Sequence, residues 1–196
     1  MSPTVELLAA IEILAFGAGG LYVILAARRN RLCWIPGAVG AALFGVLAAF
    51  RGLPMQSGLQ VYYVGMSVYG WMNWSRSARD GDLPVSTWSW RGHLLACAAL
   101  TGISFLTAQW LAAETRAAWP LLDSLTTWFS LFATWLVARA KLENWIYWII
   151  IDGVLVFLCY VQDMRLMALL YAFYVFVAAA GFVGWRRRMQ LQAVPA

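Results

Sequence analysis

The amino-acid sequence predicts an all-α integral membrane protein with seven transmembrane helices. Three observations carry that expectation. Of the 196 residues, 63% are hydrophobic and only 12% are charged, giving a mean hydropathy of +0.70. A soluble domain of this length has no use for so much apolar side chain. The apolar residues also gather into seven stretches, at about 5–27, 33–51, 55–75, 92–112, 118–138, 143–161 and 165–185. Each is close to the roughly 20 residues that cross a ~30 Å hydrocarbon core as a helix. Finally, the basic residues sort by side. Of 14 Lys and Arg, eleven follow the first, third, fifth and seventh stretches: Arg28, Arg29 and Arg31, then Arg76, Arg79 and Arg91, then Arg139 and Lys141, then Arg186, Arg187 and Arg188. Arg51, Arg116 and Arg165 fall on the opposite side. The positive-inside rule puts the N-terminus outside and the C-terminus in the cytoplasm, which an odd number of spans requires. Topology thus accounts for the net charge of +5 without a nucleic-acid partner.

In chain order, the first stretch begins Met-Ser-Pro-Thr-Val-Glu, has no basic n-region, and reads as a span instead of a cleaved leader. Glu12 stands in its outer half. The third stretch is more polar: Gln60 and Tyr63 stand mid-span at i, i+3, and it closes on Tyr69-Gly70-Trp71-Met72-Asn73-Trp74. Residues 76–91 form the one substantial polar loop, and His93 follows it at a helix start, where a surface position is expected. The fifth stretch carries Asp123 and a polar face of Ser124, Thr126, Thr127 and Ser130. The sixth begins Lys-Leu-Glu-Asn-Trp-Ile-Tyr-Trp-Ile-Ile-Ile-Asp over residues 141–152.

A repeat joins the two ends. When Trp34 is laid on Trp145, the same offset, without a gap, lays Tyr63 on Tyr174, Gly70 on Gly181, Trp74 on Trp185 and Arg76 on Arg187. Glu12 falls on Asp123, and Leu25, Ala27 and Arg28 fall on Leu136, Ala138 and Arg139. Three spans per half with a linker between them restore the same orientation, so the halves are expected to be parallel repeats about an axis along the membrane normal. The corresponding division is 1–75, a first repeat; 76–112, polar loop and linker helix; 113–188, a second repeat; and 189–196, a cytoplasmic tail.

The candidate binding residues follow from burial. Trp145, Trp148 and Asp152 stand at i, i+3 and i+7, on one helical face. At about 1.5 Å per residue, Asp152 lies roughly 16 Å in from Lys141, near the bilayer midplane. A carboxylate there costs a few kcal/mol and needs a polar cavity or a partner. Two indoles and a carboxylate suit a flat, cationic or hydroxyl-rich solute, because rings stack and attract cations while the carboxylate accepts hydrogen bonds. The bland alternative makes the tryptophans interfacial anchors and ties Asp152 to a neighbouring helix. Gln60, Tyr63, Tyr69, Trp71 and Trp74 of the third stretch, with Thr127 of the fifth, complete the candidate set; Trp74 is equally suited to anchoring at the interface. No Walker A sequence or metal-ligand spacing occurs, so the sequence points to no enzyme, cofactor or metal. Cys33, Cys97 and Cys159 are scattered and read as packing residues.

The stretches Tyr-Gly-Trp-Met-Asn-Trp after Leu-Gln-Val-Tyr-Tyr, Ala-Arg-Ala-Lys-Leu-Glu-Asn-Trp-Ile-Tyr-Trp-Ile-Ile-Ile-Asp, and a last span closing on Gly184-Trp185 before three arginines resemble the PnuC-type vitamin transporters. The resemblance is strongest over 34–74 and 123–185. It implies a 3+1+3 seven-helix fold with SWEET-like architecture, in the inner membrane. It also implies facilitated diffusion of nicotinamide riboside, with cytosolic phosphorylation trapping the substrate, or of thiamine in the PnuT relatives. Carried over, the family's TrpxxTrpxxx(Asn/Asp) pattern falls on Trp145, Trp148 and Asp152, and its third-span motif on Gln60, Trp71 and Trp74. Some nicotinamide riboside members have Asn where this chain has Asp152. Both vitamins are flat cations, which a carboxylate favours over a neutral vitamin such as riboflavin. A vitamin-binding subunit served by an ATP-driven partner is the alternative of another class. A homo-oligomer in the bilayer is compatible with the sequence, which does not specify it.

Overall fold

The apolar stretches have no water to satisfy their backbone and close their hydrogen bonds internally as helices. The computed structural model describes residues 3–50, 54–79, 84–114 and 119–192; Arg51 and Arg116 of the charge pattern lie outside them. Its helices are α1 (Pro3–Ala27), α2 (Trp34–Phe50), α3 (Pro54–Arg79), α4 (Trp90–Glu114), α5 (Pro120–Ala138), α6 (Asn144–Val161) and α7 (Arg165–Gln192). Six are long and apolar enough to cross a membrane; α3 is not among them. Ser57, Gln60, Ser67 and Asn73 dilute its hydropathy, and two of them face an internal cavity described below. α7 continues past its apolar part, so residues 189–192 extend the helix.

Three helices end in the same way. After α1, Asn30 N donates to Leu25 O and Arg29 N to Ala26 O, both at 2.9 Å. After α5, Lys141 N donates to Leu136 O and Ala140 N to Val137 O, again at 2.9 Å. Met164 N to Cys159 O (2.8 Å) and Asp163 N to Tyr160 O (3.1 Å) close α6. This is the Schellman pattern, which needs a left-handed residue after the helix. Arg29, Ala140 and Asp163 occupy it with φ of 57°, 51° and 58°. Arg29 and Ala140 are themselves an equivalent pair under the repeat.

α1 packs on α2 and α7, α2 on α3, α3 on α5, α5 on α4 and α6, and α6 on α7. At one end of the bundle four indoles, each no more than 2% exposed, form a continuous layer. Trp34 meets Trp74 edge-on at 5.4 Å, Trp74 meets Trp185 at 5.9 Å, and Trp185 meets Trp145 edge-on at 5.4 Å. Trp34 lies against Gly70 and Trp145 against Gly181, where any Cβ would collide with the ring. Trp74 Nε1 donates to Val137 O and Trp185 Nε1 to Ala26 O, both at 3.2 Å. The repeat relates these two bonds at donor and acceptor alike.

Residues 84–89 strap this end. Ser86 bridges to Lys141 as an isolated β-pair, with Leu142 N donating to Ser86 O at 2.9 Å and Ser86 N to Ala140 O at 3.2 Å. Val85, 5% exposed, joins the cluster that contains the four tryptophans. The sequence puts His93 at the surface. The structure instead tucks it between α4 and α6, where its Nδ1 pairs with the Tyr147 hydroxyl at 2.9 Å and its ring meets Trp88 edge-on. Trp88 N donates to Glu143 Oε1 at 2.9 Å, holding the strap over this ring cluster.

Candidate functional site

Above the tryptophan layer, α1, α2, α3, α5, α6 and α7 surround a cavity of about 320 Å³. α6 supplies three side chains that one helical face must present together: Trp145 at its base, Trp148 one turn on, and Asp152 a further turn along. Asp152 is 5% exposed. No Lys, Arg or His lines the cavity among the described residues, so its carboxylate has no basic side chain beside it. From α3 come Gln60, Tyr63 and Ser67, and from α5 Ser130 and Thr134. Tyr63 and Ser130 both line this space. Ser67 and Thr134 return their hydroxyl protons to their own helices, Ser67 to Tyr63 O at 2.9 Å and Thr134 to Ser130 O at 2.8 Å. That leaves their oxygen lone pairs toward the cavity as acceptors.

The structure therefore gathers Trp145, Trp148, Asp152, Gln60 and Tyr63 around one space, and sets the other candidates elsewhere. The Tyr69 hydroxyl accepts from Arg139 Nη1 at 3.2 Å near the end of the bundle. Trp71 lies under the Arg31 guanidinium, 5.8 Å from its ring centroid. Trp74 belongs to the buried indole layer, and Thr127 is half-buried outside the cavity lining.

Several lining residues were not among the sequence candidates: Tyr22 and Trp34 from the first half, Tyr171 and Tyr174 from α7. The repeat offset was the signal that reaches three of them. It carries Gln60 to Tyr171, Tyr63 to Tyr174 and Trp145 back to Trp34. Tyr22 has an alanine at its equivalent position, so only the packed structure reveals it.

One lining ring stands apart. Tyr22, Trp34, Phe44, Tyr63, Trp145, Tyr171 and Tyr174 each pair with another ring, whereas Trp148 has no ring partner among the described residues. An open indole beside an unpaired carboxylate is an arrangement that holds a flat cation by stacking and charge together.

Known proteins agree with this architecture. The profile of the family described as nicotinamide mononucleotide transporter matches residues 9–187. The nicotinamide riboside transporter PnuC of Escherichia coli K12 is 27% identical over 201 residues, covering 89% of this chain and 84% of the relative. The riboflavin/roseoflavin transporter RibM of Streptomyces davaonensis is 28% identical over 185 residues, covering 90% and 84%. A crystal structure of the vitamin B3 transporter PnuC superposes on 93% of this chain and 83% of its own with a TM-score of 0.75, at 20% identity, and so shares the fold. A multi-pass helical chain matched by the profile over nearly its whole length belongs to the nicotinamide mononucleotide transporter family.

Proposed function

We propose that this protein carries nicotinamide riboside across the inner membrane by facilitated diffusion, the riboside being trapped inside by phosphorylation. The observation that carries the choice of solute is Asp152, a buried carboxylate with no basic neighbour in the cavity, one turn from the open ring of Trp148. A pyridinium stacked on Trp148 would neutralise Asp152, and ribose hydroxyls would find Gln60, Tyr63 and Ser130. The similarity to the E. coli nicotinamide riboside transporter supports the same solute.

The mechanism rests on a 3+1+3 arrangement with α3 as the seventh span and α4 as the linker. The matched helix ends, indole bonds and glycine contacts at one offset support it. With the N-terminus outside, the tryptophan layer and the 84–89 strap lie on the cytoplasmic side and form the inner closure. Rocking of the two halves then breaks the Trp74–Val137 and Trp185–Ala26 bonds and releases the solute inward.

Riboflavin is a second reading, favoured by one observation: the RibM relative is as similar as the PnuC relative. Thiamine, another flat cation, fits the same carboxylate. Titrating the purified chain with the three vitamins in parallel tests the proposal. Tight binding of the riboside is expected. Binding of riboflavin or thiamine without the riboside would replace it as the substrate, and dependence of uptake on an ATP-driven partner would make the chain a binding subunit.

A further inference from the structure

The two halves match in backbone but not in side chains at the level of Trp148. Its equivalent in the first half is Gly37 on α2, and the equivalent of Ala133 on α5 is Tyr22 on α1. The two substitutions compensate. In the first half the ring comes from the first helix of the repeat and the second helix has no side chain. In the second half the ring comes from the second helix, and the first holds Ala133, which is fully buried.

Gly37 and Tyr22 depend on one another. A Cβ built on Gly37 would lie 2.9 Å from Cδ2 of Tyr22 and 3.3 Å from Oγ of Ser67. The Tyr22 ring therefore occupies the space that a side chain at 37 would take, and it is braced from below by Trp34 at a centroid distance of 5.6 Å. Because it lies over Gly37, it stands at the same depth as Trp148. Both rings line the cavity. They belong to opposite halves, and α2 and α6 do not pack against each other as neighbours, so the cavity runs between them.

We infer that Tyr22 is a solute-binding residue, the wall opposite Trp148 of a slot for one flat aromatic ring, and that Gly37 is the positioning residue that keeps Tyr22 in place. The slot is asymmetric by construction. Trp148 brings Asp152 with it on α6, whereas Tyr22 faces it from a side where the equivalent of Asp152 is Ala41. A cationic ring held between them has its charge drawn to the α6 wall and its other face covered by the phenol. The inference rests on the transporter reading above and deepens it: the solute class is a monocyclic or fused flat ring thin enough to lie between two aromatic faces.

The test is equilibrium binding of nicotinamide riboside to the full-length chain in detergent, with melting temperatures measured alongside. An aromatic contact beyond simple burial is worth roughly a two- to tenfold change in affinity. Tyr22→Leu and Gly37→Ala are each expected to weaken binding by up to about tenfold, and Tyr22→Phe to stay within about twofold of the parent. The double variant Gly37→Ala/Tyr22→Leu should bind no more weakly than Tyr22→Leu, because the glycine acts only through the ring. A folded Tyr22→Leu that binds as the parent does overturns the inference, and so does a Gly37→Ala loss that adds in full on top of Tyr22→Leu. Should Tyr22→Leu not fold, unchanged affinity in Gly37→Ala overturns it alone. A parent chain that binds none of nicotinamide riboside, thiamine and riboflavin refutes the transporter reading and this inference together, whereas an indifferent Tyr22 in a binding-competent parent refutes only the slot.

Discussion

Gly181 and Gly184 lie one helical turn apart on α7, yet their replacement by alanine is expected to have opposite effects. A Cβ on Gly181 would stand 2.9 Å from Cδ2, Cε2 and Cζ2 of Trp145, whereas nothing lies within 4 Å of one on Gly184. Carbon atoms in contact prefer about 3.5–4.0 Å, so the indole must retreat by roughly 0.6–1 Å. It has little room, being 2% exposed and backed by Trp185 at 5.4 Å. Overpacking of this kind costs about 1–3 kcal/mol, against a helix-propensity gain of about 0.8–1 kcal/mol that both substitutions share. Gly184→Ala should thus be neutral to stabilising and Gly181→Ala neutral to destabilising, the two differing by about 1–3 kcal/mol. For a chain of this size that is roughly 2–12 °C between their melting temperatures. Thermal unfolding of the purified variants in one detergent is the assay, with riboside affinity as a second readout because Trp145 also forms the cavity base. Equal melting temperatures and equal affinities would refute the claim that Trp145 is seated on bare backbone.

Other outcomes follow from the same geometry. Asp152→Asn should weaken a cationic solute about five- to tenfold more than its neutral dihydro form, the difference between a charge-assisted and a neutral hydrogen bond; equal losses in a calorimetric titration would remove charge from the site. Trp185→Phe and Trp74→Phe each delete an indole–carbonyl bond across the layer and should lower stability by about 0.5–1.5 kcal/mol while raising labelling, from the cytoplasmic side, of a cysteine introduced into the cavity lining as Ser130→Cys; unchanged labelling would place the closure elsewhere. Ser86→Cys/Lys141→Cys joins two β-bridged positions, whose Cα spacing suits a disulfide. Oxidation should arrest transport reversibly without loss of binding from the outer side, and undiminished transport with the bond formed would show that the strap does not move.

Much of the fold was legible because a bilayer admits few solutions. Apolar length and arginine placement located every helix within a few residues, apart from the charged extensions of α3 and α7, which composition could not delimit. α3 escapes a hydropathy criterion for a physical reason: Gln60, Tyr63 and Ser67 face a cavity and not lipid. The α6 face was readable because helical spacing alone puts Trp145, Trp148 and Asp152 together. Trp71 and Trp74 were harder. Proximity in sequence to an aromatic motif does not say which way an indole points, and Trp74 turns into a layer that only the packed halves create. Tyr22 was invisible for the complementary reason, since its place in the cavity lining depends on the side chain that Gly37 lacks. His93 was misjudged because its partners are remote in sequence: Tyr147 lies on α6 and Glu143 immediately before it, two helices further along the chain.

The central claim is tested most directly by uptake of labelled nicotinamide riboside into liposomes containing only this purified protein, with no ATP and no ion gradient. The expected result is saturable equilibration of the riboside across the bilayer, inhibited by excess unlabelled riboside. Liposomes that stay empty of riboside while riboflavin equilibrates, or that take up riboside only when an ATP-driven partner is added, would contradict it.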